Sequence, residues 1–418
     1  MSPRVRRGVI GLLLGLATGL AAQEDPFGSA PDPFGVAPVA SPADGAAPVT
    51  TSAATFDPDA VSLVHPAPGF ELHGRINLTL ALVSDREPVE RLEHASLELS
   101  SADLYAQWFP TAWFGLLGEV ELERELELEE EERRLEAELE LFVAELRPLS
   151  DERLRLRAGL FPIPFGLERR YYAPPRNELA NRPAAFRRVF PGTTTDLGVA
   201  AWIRQPVGPV GTVLELELAL VRGLQGPTQD DRPEPFDKDE DGEPTLVGRA
   251  GWTVVDLDPA RKGEHPFAAE LPGSVRLTLG ASGLVGNFGR GARRRLSYAG
   301  WDAELELGGL RVRFEAVLSR AEGLGRRGRD LIGGGLYALV AYHWRPDLLL
   351  LREAFVAYRY DLIDPDGGVR SELDLERHHW GVGWTPAEGL LFKAGWELIK
   401  PRGRGSIRVI YLELGYSF

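Results

Sequence analysis

The chain ends with Arg408-Val-Ile-Tyr-Leu-Glu-Leu-Gly-Tyr-Ser-Phe418, in which apolar and polar side chains alternate. A strand of this sequence has one largely apolar face and one largely polar face. The apolar face would carry Ile410, Leu412, Leu414, Tyr416 and Phe418, and the other face Glu413, Gly415 and Ser417. Such a strand is expected where one side meets lipid and the other meets water. The pattern predicts a transmembrane β-barrel that is closed by the last strand, with Tyr416 and Phe418 contributing to closure.

The N-terminus predicts export across the inner membrane. Arg4, Arg6 and Arg7 precede a short apolar run and a set of small residues that ends at Ala22. This is the pattern of a secretory signal peptide over residues 1–22. No later stretch contains the ~20 consecutive apolar residues that a membrane helix needs. A β-barrel is the other structure that can span a membrane, and bacterial barrels of this kind lie in the outer membrane.

Composition excludes several classes of protein. The 418 residues include no cysteine, which excludes disulfide scaffolds, thiolate metal sites and cysteine nucleophiles. A formal net charge of -15 argues against nucleic-acid binding. The mean hydropathy of -0.16 is too polar for a helical membrane protein but suits alternating strands. No catalytic motif with a nucleophile or a metal is present, so we expect neither an enzyme nor a cofactor.

Residues 23–68 differ from the rest of the chain. They are rich in Ala, Pro, Ser and Gly, and Asp25-Pro-Phe-Gly28 recurs as Asp32-Pro-Phe-Gly35. This composition cannot bury a core, which predicts a disordered periplasmic segment before a barrel domain over residues 69–418. The repeated motif is either part of this linker or a docking site for a partner.

Period-two alternation from Phe70 onward predicts about sixteen antiparallel strands, an even number as in bacterial barrels. Every second connection is short, as expected for periplasmic turns, except residues 258–272, which leave the register of residues 245–290 open. Seven aromatic residues near the short turns or the chain end predict a membrane-interface girdle. They are Trp108, Phe109, Trp113, Trp344, Trp384, Tyr416 and Phe418. The predicted strands are 69–83, 95–108, 112–128, 133–147, 153–163, 196–206, 212–224, 245–257, 273–286, 294–308, 309–321, 331–344, 350–362, 371–385, 388–399 and 405–418.

The longest outer connection follows the fifth strand, from Pro164 to Thr195. Loops of this length without secondary structure are uncommon unless they are functional, so we expect it to fold into the lumen and narrow it. It is rich in arginine interleaved with aromatic residues, which suits recognition of carboxylate or phosphate. The candidate selectivity residues are Arg169, Arg170, Arg176, Arg182, Arg187 and Arg188.

Alternation also predicts a polarised lumen wall, acidic on the third and fourth strands and basic on the fifth. Such walls would orient solutes in a transverse field, or they would be cross-strand ion pairs that stabilise a wet interior. The acidic wall would contain Glu119, Glu121, Glu123, Glu125 and Glu127 on one strand and Glu136, Glu138 and Glu140 on the next. The basic wall would contain Arg153, Arg155 and Arg157.

A resemblance to a known family is carried by residues around this loop. Gly159, Phe161 and Pro164-Phe-Gly166, followed by Asp196-Leu-Gly-Val199, resemble a segment of the phosphate-selective porin O and P family. The resemblance implies a trimer of sixteen-stranded barrels with an inward-folded third loop, and arginine and lysine clusters for phosphate. The four lysines, Lys238, Lys262, Lys393 and Lys400, all lie outside the loop. The lysine cluster is therefore absent from it.

Two further sets of residues have weaker interpretations. Asp237, Asp239 and Asp241 match the start of a calcium loop, but the twelfth position is Gly248 where an EF-hand needs Glu. They predict either weak calcium binding or a solvated acidic loop. His378 and His379 must point to opposite faces of a strand, so they do not readily bind one metal.

The sequence therefore favours a passive outer-membrane porin for small hydrophilic or anionic solutes. We expect contacts with outer-membrane lipid, the barrel assembly machinery and two further copies in a homotrimer. Two alternatives remain from the sequence. One is a membrane anchor or adhesin; the other is a lipid-modifying barrel enzyme, for which Ser371 beside His378 or His379 is the one faint candidate.

Overall fold

The computed structural model describes residues 69–85, 94–125, 134–149, 153–168, 177–183, 195–207, 212–223, 242–257, 275–288, 294–323, 329–345, 351–364, 374–387, 389–402 and 405–417. The predicted signal peptide, the predicted periplasmic segment and Phe418 lie outside these ranges. So do Asp237, Asp239 and Asp241 of the candidate calcium loop. No helix among the described residues is long and apolar enough to cross a membrane.

Sixteen strands form the fold. The first eight are β1 Gly69–Asp85, β2 His94–Thr111, β3 Phe114–Glu125, β4 Arg134–Leu146, β5 Leu154–Pro162, β6 Thr195–Pro206, β7 Val213–Val221 and β8 Thr245–Leu257. The second eight are β9 Val275–Phe288, β10 Arg294–Leu307, β11 Leu310–Ala321, β12 Leu331–Trp344, β13 Glu353–Asp364, β14 Leu375–Ala387, β15 Leu390–Pro401 and β16 Ile407–Ser417. All sixteen predicted strands are confirmed. The predicted and observed strand ends differ most at the start of β14, which was predicted at residue 371 and lies at Leu375.

Each strand pairs with its neighbours in sequence, and β16 returns to β1, so the sheet is a closed antiparallel barrel. In the closing pair Leu78 lies opposite Leu414, and Asn77 lies opposite Gly415. Closure leaves no unpaired edge, and hence no row of unsatisfied backbone groups facing the membrane. The predicted two-faced last strand is confirmed over its described residues: Tyr416 is 47% exposed, whereas Glu413 on the opposite face is 5% exposed.

The outward face of the barrel is apolar along most of its height. On β7 the outward side chains are all leucine. On β12 every second residue from Ile332 to Trp344 faces outward, and each of these residues is apolar, aromatic or glycine. Four predicted girdle tryptophans, Trp108, Trp113, Trp344 and Trp384, are 43% to 58% exposed. Phe109 differs because it is 2% exposed and packs beneath the guanidinium of Arg147, 4.7 Å from its ring centre.

A β-bulge shifts the alternation along β4. Leu139 lies opposite Val120 and Leu141 lies opposite Glu119, so Glu140 is the additional residue. Leu141 therefore occupies the position opposite Glu119 that simple alternation assigns to Glu140. Below the bulge Phe142 is 57% exposed and Val143 is 2% exposed. One inserted residue therefore shifts the alternation of β4 by one position, so the residues after Glu140 follow the opposite parity from those before it.

Candidate functional site: the inward loop and the lumen wall

The connection between β5 and β6, residues 163–194, is here called the inward loop; the structure describes its residues 163–168 and 177–183. It begins with a tight turn in which the Phe165 N–H donates to the Ile163 carbonyl at 2.8 Å. Gly166 follows with φ of 72°, a conformation that favours glycine. Ile163, Phe165 and Leu167 are fully buried. The turn therefore directs an apolar segment into the barrel interior.

Phe165 fixes where this segment meets the wall. Its ring lies edge-on to Tyr298 of β10, with 6.4 Å between ring centres. It also covers Gly300, where an added Cβ would lie 2.8 Å from the Phe165 ring. Gly300 thus leaves the room that the aromatic ring occupies. These contacts confirm the prediction that the third outer loop folds inward.

The first polar anchor uses backbone groups of the loop. The carboxylate of Glu315 on β11 accepts the N–H of Leu167 at 2.9 Å and the N–H of Glu168 at 3.0 Å. The Tyr337 hydroxyl donates to the same carboxylate at 3.3 Å, and the Gly166 N–H donates to Ser282 Oγ at 2.9 Å. Hydrogen bonds from two successive amides hold the loop at a defined height on the wall.

The second anchor is an ion-pair cluster around Glu178. Arg313 Nη1 lies 2.8 Å from Glu178 Oε2, and Arg311 Nη1 lies 2.8 Å from Oε1. His343 Nε2 lies 3.5 Å from Oε1. Burial alone would raise the pKa of Glu178, but Arg313, His343 and Arg311 outweigh burial and hold it well below its usual range. Arg311 is the second residue of β11, next to the Gly308-Gly309 turn, so the loop reaches the turn end of the barrel.

A third anchor holds the following residues against β13 to β15. Arg359 donates to the Asn181 carbonyl at 2.7 Å and to the Arg182 carbonyl at 2.9 Å, and Arg377 also donates to the Arg182 carbonyl. Asn181 Nδ2 donates to Glu397 Oε2 at 3.1 Å. Both guanidinium groups pair with the Asp361 carboxylate as well. The cluster combines buried charges with loop carbonyls that would otherwise lose their hydrogen bonds to water.

These anchors all lie on one part of the wall, from β9 to β15. Sequence reasoning did not single out the residues that make them. Alternation carries a usable signal, because Arg311-Val-Arg-Phe-Glu315 places three charged side chains on the lumen face. It cannot indicate that a loop more than a hundred residues earlier in the chain binds them. The residues missed are Arg311, Arg313, Glu315, His343, Arg359, Arg377 and Glu397.

Glu168 has a different environment from Glu178. Its side chain is 3% exposed, and its Oε1 atom has no hydrogen-bond partner among the described residues. Burial raises its pKa from 4.5 to about 7, against the opposing effects of Arg182, Arg359 and Arg313. One loop therefore carries a carboxyl group that is ionised throughout the ordinary pH range and another that titrates near neutrality.

Of the six candidate selectivity arginines, the structure describes Arg182. Its side chain is partly buried, and its carbonyl belongs to the third anchor. The other five, Arg169, Arg170, Arg176, Arg187 and Arg188, lie outside the described residues. Their position relative to the lumen remains a prediction.

The acidic and basic walls predicted from the sequence lie on adjacent strands. Glu121 of β3 lies opposite Glu138 of β4, and Glu123 lies opposite Glu136. On β5, Arg157 pairs with Glu145 at 2.8 Å, and the Arg155 guanidinium stacks over Trp202 at 4.6 Å. Arg153 precedes β5 and is exposed. Arg157 thus fits the cross-strand ion-pair alternative, whereas exposed Arg153 fits a wall that meets solvent.

The paired histidines do not come together as a site. His379 is fully buried on the lumen face, whereas His378 is outward and bonds the Tyr358 hydroxyl at 2.9 Å. The two rings are thus on opposite faces, as predicted. Ser371 lies outside the described residues. Among the residues that are described, no group of three or more His, Asp or Glu side chains is arranged to hold a metal.

Comparison with family models gives no match, and comparison with curated protein sequences gives none either. Solved structures do match. An anion-selective porin from Comamonas acidovorans aligns over 84% of this chain and 99% of its own, with 10% identity and a TM-score of 0.52. OmpF of Salmonella typhi, in complex with daunomycin, aligns over 84% and 97% of the two chains, with 9% identity and a TM-score of 0.52.

A third matching structure is the outer membrane channel DcaP of Acinetobacter baumannii. It aligns over 84% of this chain and 97% of its own, with 11% identity and a TM-score of 0.51. At these identities the similarity establishes the fold, which is that of outer-membrane porins. The closed barrel and its apolar outward face place the chain in the bacterial outer membrane.

Proposed function

We propose that this protein is a passive porin that lets small hydrophilic solutes cross the outer membrane. The observation that carries the proposal is a sixteen-stranded barrel whose inward loop is anchored along β9 to β15. A barrel of this strand number is wide enough for an aqueous channel. A loop fixed to one part of the wall narrows such a channel without requiring that it be closed.

The passage is proposed to run between the inward loop and the strands that do not anchor it. Charged groups on the lumen side of those strands are partly exposed. His73 and Glu71 on β1 have side chains 37% and 58% exposed, and Arg204 on β6 has a side chain 28% exposed. Partly exposed charges of both signs are suited to a water-filled path for polar solutes.

A preference for anions is the finer part of the proposal. It is supported by the six arginines of the inward loop and by the resemblance of Gly159 to Gly166 to the phosphate-selective porin O and P family. Guanidinium groups stay charged, and their field is stronger in a narrowed, partly desolvated path than on an open surface. The acidic side chains of β3 and β4 oppose this preference, so phosphate is proposed as one permitted anion among several.

Conductance and ion selectivity test the proposal together. Refolded protein in a planar bilayer should give discrete conductance steps, and a salt gradient should give a reversal potential on the anion-preferring side. Changing Arg187→Glu and Arg188→Glu should shift that potential toward cations. Arg320→Glu, an exposed charge paired with Asp330 at the outer end of β11, is the matched control. Folded protein without conductance steps would refute the channel, and an unmoved potential would refute the loop as its selectivity element.

Export and assembly belong to the same proposal. Residues 1–22 would direct export, and residues 23–68 would remain in the periplasm. The barrel assembly machinery would recognise the last strand. Deleting Phe418 should reduce the amount of heat-modifiable barrel in the outer membrane and leave export intact. Unchanged barrel levels would argue against a role of the terminal aromatic residue.

A homotrimer, implied by the family resemblance, is tested by native mass measurement in mild detergent, where a monomer alone would refute it.

A further inference from the structure

A group of aromatic rings, here called the aromatic patch, faces outward on β13, β14 and β15. Tyr358, Trp380 and Trp396 lie opposite one another on these strands, and Tyr360 and His378 lie one step nearer the loop end. Trp380 stacks on Trp396 with 4.5 Å between ring centres, and His378 stacks on Trp380 at 5.7 Å. Trp380 and Trp396 are 37% and 40% exposed. The aromatic patch is therefore an ordered surface that is open to whatever surrounds the barrel.

Three charged residues lie above the aromatic patch on the same outward face. Glu376, Lys400 and Arg408 are each the second residue from the loop end of their strands. Bacterial barrels have short turns in the periplasm and longer loops outside the cell, so the loop end is the outer end. The three charges therefore lie at the level where the headgroups of the outer leaflet meet the barrel.

One carboxylate orders the polar atoms of this region. His378 Nε2 donates to Glu376 Oε1 at 2.7 Å, and His378 Nδ1 then accepts the Tyr358 hydroxyl at 2.9 Å. Lys400 Nζ lies 3.4 Å from the same Glu376 oxygen and 3.2 Å from His378 Nε2. An ammonium group has three N–H donors, and the Lys400 side chain is 45% exposed. Lys400 therefore retains a donor for a further acceptor outside the barrel.

Arg408 places a second cation beside Lys400. It lies opposite Leu398 of β15, so Lys400 is its diagonal neighbour, with Cβ atoms on the order of 7 Å apart. Arg408 is exposed. Asp364, which is also outward and exposed, lies on β13, two strands away from Lys400. The outer ends of β15 and β16 therefore present two long cationic side chains that can reach one phosphate group, the ligand that guanidinium and ammonium groups commonly bind.

We propose that the aromatic patch, Lys400 and Arg408 together form a binding site for the phosphate-bearing headgroup of a lipid in the outer leaflet. Lys400 and Arg408 bind the phosphate. The rings of Trp380 and Trp396 pack against the apolar part of the lipid below it, at the depth where amphipathic aromatic side chains are favoured. The site depends on the position of the barrel in the outer membrane and is independent of the proposed channel function.

A second copy of the chain is the competing occupant of this surface. The cores of protein interfaces are depleted of lysine and glutamate. Here Lys400 and Glu376 belong to the central polar network, and basic clusters at the membrane surface are typical of binding sites for acidic lipids. The charge and position of the surface therefore favour a lipid.

Native mass spectrometry of the full-length refolded barrel in mild detergent tests the proposal. The probe is diphosphoryl lipid A, and phosphatidylcholine, which has no net charge, is the comparison lipid. Wild type should bind lipid A more tightly than phosphatidylcholine. The double change Lys400→Gln and Arg408→Gln should raise the Kd for lipid A on the order of thirtyfold, because each cation contributes a factor of about five.

Two further variants serve as controls. Arg320→Gln removes an outward cation at the outer end of β11 that is paired with Asp330, and it should leave the Kd unchanged. Lys400→Arg with Arg408→Lys keeps both charges and should retain binding of lipid A. If the double glutamine variant does not refold, Lys400→Gln alone, with an expected change of about fivefold, decides.

Three results would overturn the proposal. The first is an equal Kd for lipid A in wild type and in the glutamine variants, and the second is equal binding of lipid A and phosphatidylcholine by wild type. The third is a glutamine variant that loses its oligomeric state and keeps its lipid, since this would assign the surface to a second copy. The same mass spectra report bound lipid and oligomeric state, so one experiment distinguishes the two occupants.

Discussion

Two parts of the lumen wall carry alternating charged residues, and they use them differently. On β11 to β15, Arg313, Arg359 and Glu397 are 2% exposed or less and bind the inward loop. On β3 and β4, Glu121 is partly exposed and Glu138 is exposed, and Arg153 just before β5 is also exposed. The first region uses its charges to hold the loop in place, whereas the second also presents charges, at Glu138 and Arg153, to solvent. The role of a charged residue on the lumen face therefore depends on whether the inward loop covers it.

The largest difference between the two regions should appear when an arginine is removed. Arg313→Ala removes a buried guanidinium that pairs with Glu178 and Glu304, which should cost about 3 kcal/mol of unfolding free energy. Arg153→Ala removes an exposed charge and should change the unfolding free energy by less than about 0.5 kcal/mol. Denaturant titration in lipid vesicles measures both. Equal losses would remove the distinction between the regions.

Glu178→Gln is expected to have an intermediate effect that depends on pH. The amide keeps the shape of the carboxylate but loses the charge that Arg311 and Arg313 bind, which should cost about 2 kcal/mol at pH 7. Because the pKa of Glu178 is lowered in the folded protein, its contribution is complete above the ordinary value of 4.5 and is lost as pH falls below it.

Unfolding measurements between pH 7 and pH 3 test this dependence. The stability difference between wild type and Glu178→Gln should stay constant down to about pH 4.5 and shrink below it. A difference that is already lost at pH 6 would show that Glu178 is not held by the two arginines.

The smallest effect concerns packing of the loop. At Gly381 an added Cβ would lie 2.6 Å from Leu179 Cδ2, so Gly381→Val should displace Leu179 and cost about 1 kcal/mol. Gly283→Val is the matched control, because nothing lies within 4 Å of its added Cβ. Equal unfolding free energies for the two variants would mean that the loop does not press on β14.

The sequence predicts the barrel well because its signal repeats. Each strand alternates between a lipid face and a lumen face, and each second connection is short. The same pattern therefore recurs sixteen times, and each recurrence strengthens the prediction of a barrel. The terminal strand illustrates this, since the faces of Leu412 and Glu413 follow directly from period two. The sequence did not indicate the residue inserted at Glu140, because a bulge leaves no mark in the composition of a strand.

The site was predicted less completely, for a physical reason. Loop length, together with the resemblance carried by Gly159 to Gly166, predicted that the loop folds inward, and this was confirmed. The partners of the loop depend on contacts over long sequence separations, such as Glu168 with Glu315, which local patterns do not encode. The prediction singled out the arginines of the loop, yet Glu178 and the loop carbonyls make most of its described anchoring contacts.

Cysteine accessibility tests the central claim most directly, because the chain contains no cysteine of its own. Glu138→Cys lies on the exposed wall, and Ala341→Cys lies on the lumen face of β12 at a position that is 1% exposed. In folded barrels, a charged water-soluble thiol reagent should modify Glu138→Cys rapidly and change its single-channel conductance. Ala341→Cys should remain unmodified. Rapid modification of both positions would contradict the account, since it would mean that the inward loop does not cover the β9 to β15 wall.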